Sequence, residues 1–361
     1  MAGRKDKVRY AVVGLGDIAQ ASVLPAFFNA RRNSELVALV SGSREKLSRL
    51  GARYAVAQQY SYEQFAECLA EVDAVYLALP NHLHREFAVA AARAGVHVLC
   101  EKPLAPSVAE AEEMVAAAVE NGVRLMTAYR LHFEPGTLSS LEIARSGELG
   151  DLRYFHAAFS MQVAEGDVRL QPEVVGGGPL FDIGVYGINA ARQFLGAEPI
   201  EIIAIPANNG ESRFASTHEM ISAVLRFPGD RLASITASAG AASSGWYEIV
   251  GTRGRLRMDP GFGYGVVLQR VVEANGSSRR SHFSLRDQFA PEILHFSDCV
   301  LEHREPGPSG LEGLADVRVI AAILESSRTR SSVRLPERTL ASRPDLTLSS
   351  RRFPPPAKNL K

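Results

Sequence analysis

The first third of the chain alternates short apolar segments with longer ones in which apolar residues recur at helical spacing. Segment 74–79 is apolar throughout, which is typical of a strand covered on both faces. Repeated strand–helix units of this kind predict a parallel, doubly wound sheet with right-handed crossovers. The predicted strands are 8–13, 36–40, 59–60, 74–79, 96–100 and 124–129, and the predicted helices are 21–31, 45–54, 62–70, 84–94 and 108–120.

From residue 137 onward, a helical segment is followed by long stretches in which apolar and polar residues alternate. Turn sequences separate these stretches, so they predict a large, mostly antiparallel sheet. Helices should cover one face of this sheet, and the other face is expected to join the subunits of a homodimer or homotetramer, because it would otherwise expose apolar surface. The predicted strands are 152–162, 200–205, 220–227, 232–239, 247–251, 256–258 and 266–272, and the predicted helices are 137–146, 182–195, 288–302 and 311–327.

The chain has 361 residues, which is more than a domain with a single hydrophobic core usually contains, so two domains are expected. The change of pattern divides it into a doubly wound domain at 1–130, an α+β domain at 131–345 and an extended tail at 346–361. Forty basic residues balance forty acidic ones, which argues against nucleic acid or an anionic membrane as a partner.

The sequence also favours a cytoplasmic protein without a metal. No apolar segment precedes the first strand, so no signal peptide is expected, and no apolar run approaches the roughly 18 residues that span a bilayer. Cys68, Cys100 and Cys299 are widely spaced, which is typical of reduced thiols and does not match the ligand spacing of a zinc site.

A glycine turn directly follows the first predicted strand. Gly14 permits a tight turn, Gly16 lets the backbone approach a pyrophosphate, and Ala19 stands where a helix packs on the strand. The amides at the helix start, with Asp17 and Ile18, are expected to face the phosphates. The position of this turn between strand and helix predicts a dinucleotide site.

The end of the second strand indicates which dinucleotide binds. An NAD enzyme places a carboxylate there to hold the ribose hydroxyls. This chain instead has Ser41-Gly42-Ser43-Arg44 with Lys46 nearby, and its first carboxylate, Glu45, comes later. Hydroxyls and cations suit a 2′-phosphate, so the sequence favours NADP over NAD. Alternatively, Arg44 and Lys46 only begin a solvated helix, and then either cofactor fits.

The segment Glu101-Lys102-Pro103 follows the strand at 96–100. Ligands bind at the carboxyl ends of strands in such sheets, so Lys102 is a candidate catalytic cation, and both Glu101 and Lys102 are candidate cofactor contacts. The alternative is a lysine that extends to solvent. Pro103 favours the catalytic interpretation, since proline restricts the backbone before it and permits a cis bond.

A second cluster of ionisable groups follows the glycine run at 176–178. Asp182 and Tyr186 are four residues apart on a predicted helix, so they share one face. They are candidate catalytic and substrate-binding residues, while the glycines permit close approach of a ligand. Alternatively, Tyr186 is a core aromatic and Asp182 a helix-start charge.

Two further loops follow strand ends and complete the predicted pocket. Pro80 and Asn81 are expected to shape the nicotinamide site, whereas a histidine at a helix start is often only a cap. Arg130 and His132 suit hydrogen bonds to a polyhydroxylated substrate, although a structural salt bridge explains them equally well. The residues assigned to cofactor are Leu79, Pro80, Asn81, His84 and Arg130, and those assigned to substrate are Tyr129, Arg130 and His132.

The segments GLGDIA, PNHLH, EKPLA, AYRLHFEP and GGGPLFDIGVYGIN occur in this order. Together they resemble the glucose–fructose oxidoreductase branch of the Gfo/Idh/MocA family, from Tyr10 to about Leu335. The resemblance implies a Rossmann domain, then an α/β domain whose open sheet serves oligomerisation. It also implies that Lys102, Asp182 and Tyr186 act together.

The resemblance implies an NADP-dependent oxidoreductase that converts a cyclic aldose to its lactone, or catalyses the reverse reaction. Alternatives are a dehydrogenase of dihydrodiol-type diols and a non-catalytic NADP-binding sensor. The enzyme that gives the branch its name is exported and covers its NADP with a long N-terminal arm. Only a few residues precede the first strand here, which favours a releasable cofactor.

Overall fold

The computed structural model describes residues 6–340, 343–350 and 354–355. Its first sheet consists of β1 (Val8–Val13), β2 (Ser34–Val40), β3 (Gln58–Tyr60), β4 (Ala74–Leu77), β5 (His97–Glu101) and β6 (Leu125–Ala128). All six strands are parallel, in the order β3-β2-β1-β4-β5-β6. This is the Rossmann order, and a ligand crevice opens beside the carboxyl ends of β1 and β4, where the order reverses. The predicted doubly wound parallel sheet is confirmed.

The helices around this sheet differ from the prediction mainly at the start. The helix predicted at 21–31 ends earlier than expected, because a π-helical turn at Ala19–Val23 leads into a single α turn, α1 (Leu24–Ala26). Pro25 removes a backbone donor there, and the chain then turns toward β2. The other helices are α2 (Arg44–Tyr54), α3 (Phe65–Leu69), α4 (His84–Arg93) and α5 (Val108–Glu120).

The second sheet consists of β7 (Leu152–Gln162), β8 (Glu201–Ala207), β9 (Met220–Phe227), β10 (Arg231–Ser238), β11 (Gly240–Gly251), β12 (Gly254–Met258), β13 (Leu268–Ala274), β14 (Ser277–Phe283) and β15 (Val333–Arg334). Their order is β14-β13-β12-β11-β7-β10-β9-β8-β15, antiparallel except for β7 beside β10. The predicted mostly antiparallel sheet is confirmed. The prediction missed β14, because this edge strand is largely polar and mostly exposed, and it also missed the two-residue β15.

The helices of the second half are α6 (Pro135–Arg145), α7 (Val185–Leu195), α8 (Phe289–Leu301) and α9 (Gly310–Thr329). The expectation that α8 covers the second sheet is wrong. Phe289, Ile293 and Phe296 belong to the core of the Rossmann domain, and Ser297 lies within 2.7 Å of the Tyr10 hydroxyl. Helix α9 contributes to both cores, and the two domains are therefore packed together.

The predicted tail at 346–361 is described only in part. Residues Leu346–Ser350 form a short 3-10 helix, and Leu348 is buried in the Rossmann core. Residues 351–353 and 356–361 lie outside the described part of the chain. No helix of the described residues has the length and apolarity that a bilayer span requires. The described residues also contain no group of His, Cys, Asp or Glu side chains suited to a metal.

Candidate active site

The glycine turn adopts the conformation that a dinucleotide site requires. Gly14 has φ +90°, and a Cβ there would lie 2.4 Å from the Ala78 carbonyl oxygen, so only glycine fits. A Cβ on Gly16 would meet no atom within 4 Å, so this backbone is open to a ligand. Ala19 is fully buried, as predicted for its place under the turn.

The predicted 2′-phosphate residues follow β2. Gly14 N donates to the Val40 carbonyl, so this segment lies beside the glycine turn. The Ser43 side chain caps α2 by accepting a hydrogen bond from Lys46 N at 3.3 Å, and Arg44 is exposed at the first position of the helix. Ser41 is buried and receives a bond from Ser43 N. Gly42 lies between them, and no side chain of its own obstructs the segment.

A cavity of about 680 Å³ opens between the two domains at the carboxyl ends of the Rossmann strands. Its volume is within the range of small-molecule sites. Most of the side chains assigned from sequence to the nicotinamide and substrate pocket meet here. The predicted residues that line it are Gly16, Asp17, Ile18, Leu79, Pro80, Asn81, Glu101, Lys102, Arg130, Asp182 and Tyr186.

Lys102 lies between the two domains, and its side chain is only 12 % exposed. Its ammonium donates to the backbone carbonyl of Asp182 at 2.6 Å and lies 3.6 Å from Oδ1 of the same residue. The Lys102 nitrogen is 4.8 Å from the centre of the Tyr186 ring. The structure therefore brings together the amine, carboxylate and phenol that the sequence paired, and the Lys102–Pro103 bond is cis.

The charge of Lys102 is stable at neutral pH. Burial lowers its pKa, but the nearby Tyr186 and Asp182 outweigh this effect, so the pKa is raised above its ordinary value. The amine is therefore a permanent cation in the cavity rather than a base. It can stabilise negative charge on an oxygen that loses a proton nearby.

Arg130 supports the Tyr186 hydroxyl from the other side. Its Nε donates to the Tyr186 oxygen at 3.2 Å, while its other two nitrogens bond Gln288 Oε1 and the Phe262 carbonyl. The guanidinium is buried, so it is held in one orientation. Two cations, Lys102 and Arg130, thus flank the Tyr186 phenol.

Glu101 belongs to a buried carboxyl pair at the wall of the cavity. The Tyr76 hydroxyl is 2.9 Å from Glu101 Oε1 and 3.2 Å from Glu292 Oε1. Burial raises the pKa of both carboxyl groups, further for the fully enclosed Glu292. A phenol has one proton to donate, so both contacts are hydrogen bonds only if one carboxyl is protonated, and the stronger upward shift of the Glu292 pKa favours that residue.

Three residues that were predicted for the nicotinamide and substrate pocket, His84, Tyr129 and His132, do not line this cavity. His84 is fully buried and ties two loops together, with Nε2 2.9 Å from the Leu79 carbonyl and Nδ1 3.1 Å from the Pro103 carbonyl. In this position it connects the lysine loop to the end of the fourth strand. Burial lowers the pKa of its imidazole, and the hydrogen bonds to the backbone carbonyls oppose this effect.

Tyr129 and His132 are turned away from the cavity as well. The Tyr129 hydroxyl donates to the Asp316 carboxylate, and His132 Nε2 lies 2.8 Å from Asn189 Oδ1. They surround Arg130 in sequence, but both side chains are buried against α7 and α9. Both side chains therefore point away from the cavity, and the partner of His132 is the neutral Asn189 amide rather than a salt-bridge carboxylate.

The sequence missed the loop that forms the outer wall of the cavity. The β7–α7 loop (residues 163–179) contributes Asp167 and Arg169, and Arg169 Nε lies 3.1 Å from Asp182 Oδ2. Aromatic rings of Phe159 and Phe262, stacked with their centres 5.5 Å apart, line the same cavity. The glycine run was the one signal for this loop, since glycines permit tight folding near a ligand.

Comparisons with known proteins agree with this geometry. Residues 8–129 match the family model described as "Oxidoreductase family, NAD-binding Rossmann fold", and residues 115–257 match the GFO/IDH/MocA C-terminal domain. The chain therefore belongs to the Gfo/Idh/MocA oxidoreductase family. The predicted family and its class of enzyme are confirmed.

Several relatives match over nearly their whole length. D-xylose 1-dehydrogenase [NADP(+)] from Haloarcula marismortui is 32% identical, over 91% of this chain and 93% of that protein. The structure of an aldose-aldose oxidoreductase from Caulobacter crescentus has a TM-score of 0.87 and 35% identity, covering 91% of this chain and 100% of the other. A 3-ketoreductase from Actinomadura kijaniata, solved with NADP and TDP-benzene, has a TM-score of 0.81 and 31% identity, covering 89% and 98%.

Proposed function

We propose that this protein is an NADP-dependent oxidoreductase that transfers a hydride between a cyclic aldose and the nicotinamide. The observation that carries the proposal is the meeting of Lys102, Asp182 and Tyr186 in one cavity beside a dinucleotide turn. The predicted function of an NADP-dependent sugar oxidoreductase agrees with the relatives, which include two xylose dehydrogenases named for NADP(+).

The residues of the chain fit the cofactor. The open backbone at Gly16 and the amides that follow it would hold the pyrophosphate, and Ser43 and Arg44 would hold the 2′-phosphate. The preference for NADP over NAD is confirmed by relatives, among them the NADP complex of the 3-ketoreductase. When bound, NADP accepts the hydride or, in the reverse direction, donates it.

In the oxidation, Tyr186 takes the proton of the sugar hydroxyl as the adjacent carbon–hydrogen bond breaks and the carbonyl forms. Phenols in water ionise only near about pH 10, so a tyrosine base needs nearby cations at neutral pH. Lys102 and Arg130 provide this charge. Lys102 also polarises the reacting oxygen, and Asp182 holds the lysine in place through its backbone carbonyl.

The charges in the cavity favour an uncharged sugar. The described lining residues include four acidic and three basic side chains, so the wall has no positive excess. Arg130 is bonded to Gln288 and Phe262, and Arg169 is paired with Asp167 and Asp182. A nucleotide sugar requires cations for its pyrophosphate, whereas a neutral aldose requires hydroxyl partners and an apolar wall. Phe159 and Phe262 offer that wall.

We also propose that the protein is a cytoplasmic homo-oligomer, a dimer or tetramer. The outer face of the second sheet exposes large apolar side chains, and Ile205 is 72% exposed. Ile203 pairs with Val224 across neighbouring strands, so the exposed residues form a continuous face suited to a second subunit. Three buried cysteines without disulfides agree with a reducing compartment.

The experiment is a panel assay with purified enzyme, in which aldoses and cyclic diols are each incubated with NADP or NAD and NADPH absorbance is followed. We expect turnover of at least one neutral aldose, with NADP preferred. Turnover of diols alone would replace sugar oxidation by diol oxidation. Tight NADP binding without turnover of any compound would favour the sensor.

A further inference from the structure

The carboxylate of Asp182 is shared between two cations from different parts of the fold. Its Oδ2 lies 3.1 Å from Arg169 Nε, while its Oδ1 lies 3.6 Å from Lys102 Nζ. A charge-assisted N–H···O bond is about 2.7–2.9 Å long, so the second distance is too long for a hydrogen bond. The carboxylate is thus drawn toward Arg169 and away from Lys102.

Lys102 therefore retains ammonium N–H groups that, in an ordinary lysine–aspartate pair, would be hydrogen-bonded to the carboxylate. An ammonium has three N–H donors, and the hydrogen bond it makes within the described part of the chain goes to the Asp182 carbonyl. The remaining N–H groups are in the cavity, because Lys102 lines it and is partly exposed there. These donors are available to a substrate oxygen.

Arg169 is itself fixed within the β7–α7 loop. Its backbone amide and its NH1 both bond the Asp167 carboxylate at 2.9 Å, and its carbonyl accepts from Gly178 N at 2.7 Å. Asp182 N in turn donates to the Gly178 carbonyl at 3.2 Å. A Cβ on Gly177 would lie 1.8 Å from the Gln171 carbonyl oxygen, so the loop depends on glycine for its tight fold.

We propose that Arg169 is a positioning residue that holds the Asp182 carboxylate away from Lys102, so that the ammonium stays free to bind the reacting oxygen of the substrate. This inference rests on the proposed function and adds to it a role for the β7–α7 loop. Without Arg169, the carboxylate would close on the ammonium and weaken the stabilisation that the ammonium gives to the negative charge developing on the reacting oxygen. Catalysis would then fall although the three catalytic groups are all present.

The test compares Arg169→Met, Arg169→Lys and the control Arg304→Met. Arg304 is a matched control because its side chain is 44% exposed, against 39% for Arg169. Like Arg169, it pairs with a carboxylate two residues earlier in the chain, but it does not line the cavity. We expect kcat for an aldose to fall about tenfold or more in Arg169→Met, with cofactor KM unchanged. Arg169→Lys should recover part of the loss, and the control should match wild type.

A double variant separates an effect through Asp182 from a direct contact. In an Asp182→Asn background the side chain is a neutral amide, which the Lys102 ammonium does not attract as it attracts an anion. Adding Arg169→Met to this background should therefore lower kcat little further. An equal loss in both backgrounds, a change in sugar KM alone, or wild-type kcat in Arg169→Met would each overturn the proposal.

A crystal structure of Arg169→Met provides a readout that needs no substrate. We expect the distance between Lys102 Nζ and Asp182 Oδ1 to shorten from 3.6 Å to about 2.8 Å. A distance unchanged from wild type would overturn the positioning role. Failure of the wild type to oxidise any sugar would instead count against the proposed function, and the two failures are therefore distinguishable.

Discussion

Replacing Lys102 by methionine tests the candidate active site most directly. Methionine keeps much of the length of the side chain and removes the charge, whose nitrogen lies 4.8 Å from the centre of the Tyr186 ring. At an effective dielectric constant of about 20, a unit charge at this distance contributes about 3 kcal/mol. If this stabilisation applies to the transition state, its loss lowers turnover by about a hundredfold. Arg130 remains beside the phenol, so residual activity is expected.

The assay measures kcat for the best aldose by NADPH absorbance, together with NADP affinity by fluorescence titration and the thermal midpoint. We expect NADP affinity to change little, because the variant leaves both the glycine turn and the segment that follows β2 intact. The variant also leaves the Asp182 carbonyl without its lysine donor, so a small loss of stability is expected. Turnover within a few-fold of wild type, with an intact fold, would refute a catalytic role for this amine.

Two further predictions concern the cofactor and the dependence of stability on pH. Arg44→Ala should raise the KM for NADP about tenfold and leave the KM for NAD unchanged, since the proposed partner of this cation is the 2′-phosphate, which NAD lacks. Equal changes of the two KM values in steady-state kinetics would contradict this. Burial and the neighbouring Arg124 lower the pKa of His97 from 6.5 to about 4. The neutral imidazole therefore stabilises the folded state above pH 6.5, and this stabilisation is lost as the pH falls toward 4. Between pH 7.5 and 5, wild type should lose about 1–2 kcal/mol more unfolding free energy in urea than His97→Asn, whose amide oxygen can still accept from Arg124 N. Parallel losses in both proteins would show that another group is responsible.

Some errors of sequence interpretation have a common physical origin. Tyr129, Arg130 and His132 follow one strand end, and all three were assigned to the substrate. In the structure Tyr129 directly precedes a 3-10 turn that contains Arg130 and His132, and of these three side chains only Arg130 lines the cavity. Residues in a short turn do not alternate as in a strand, and the pattern along the chain gave no indication of which would face the ligand.

The local pattern alone determined the strand–helix alternation of residues 8–128 and the glycine turn, because both depend on periodicity and on backbone conformation. It also marked Lys102, whose place after a parallel strand puts it at the edge where ligands bind. Only the tertiary structure showed that Asp182, 80 residues later, contacts this lysine, and that Arg169 pairs with the same Asp182 carboxylate. It alone also placed α8 against the Rossmann sheet. These contacts join distant parts of the chain. They depend on the geometry of loops and packing surfaces, which produces no periodic pattern of residues in the sequence.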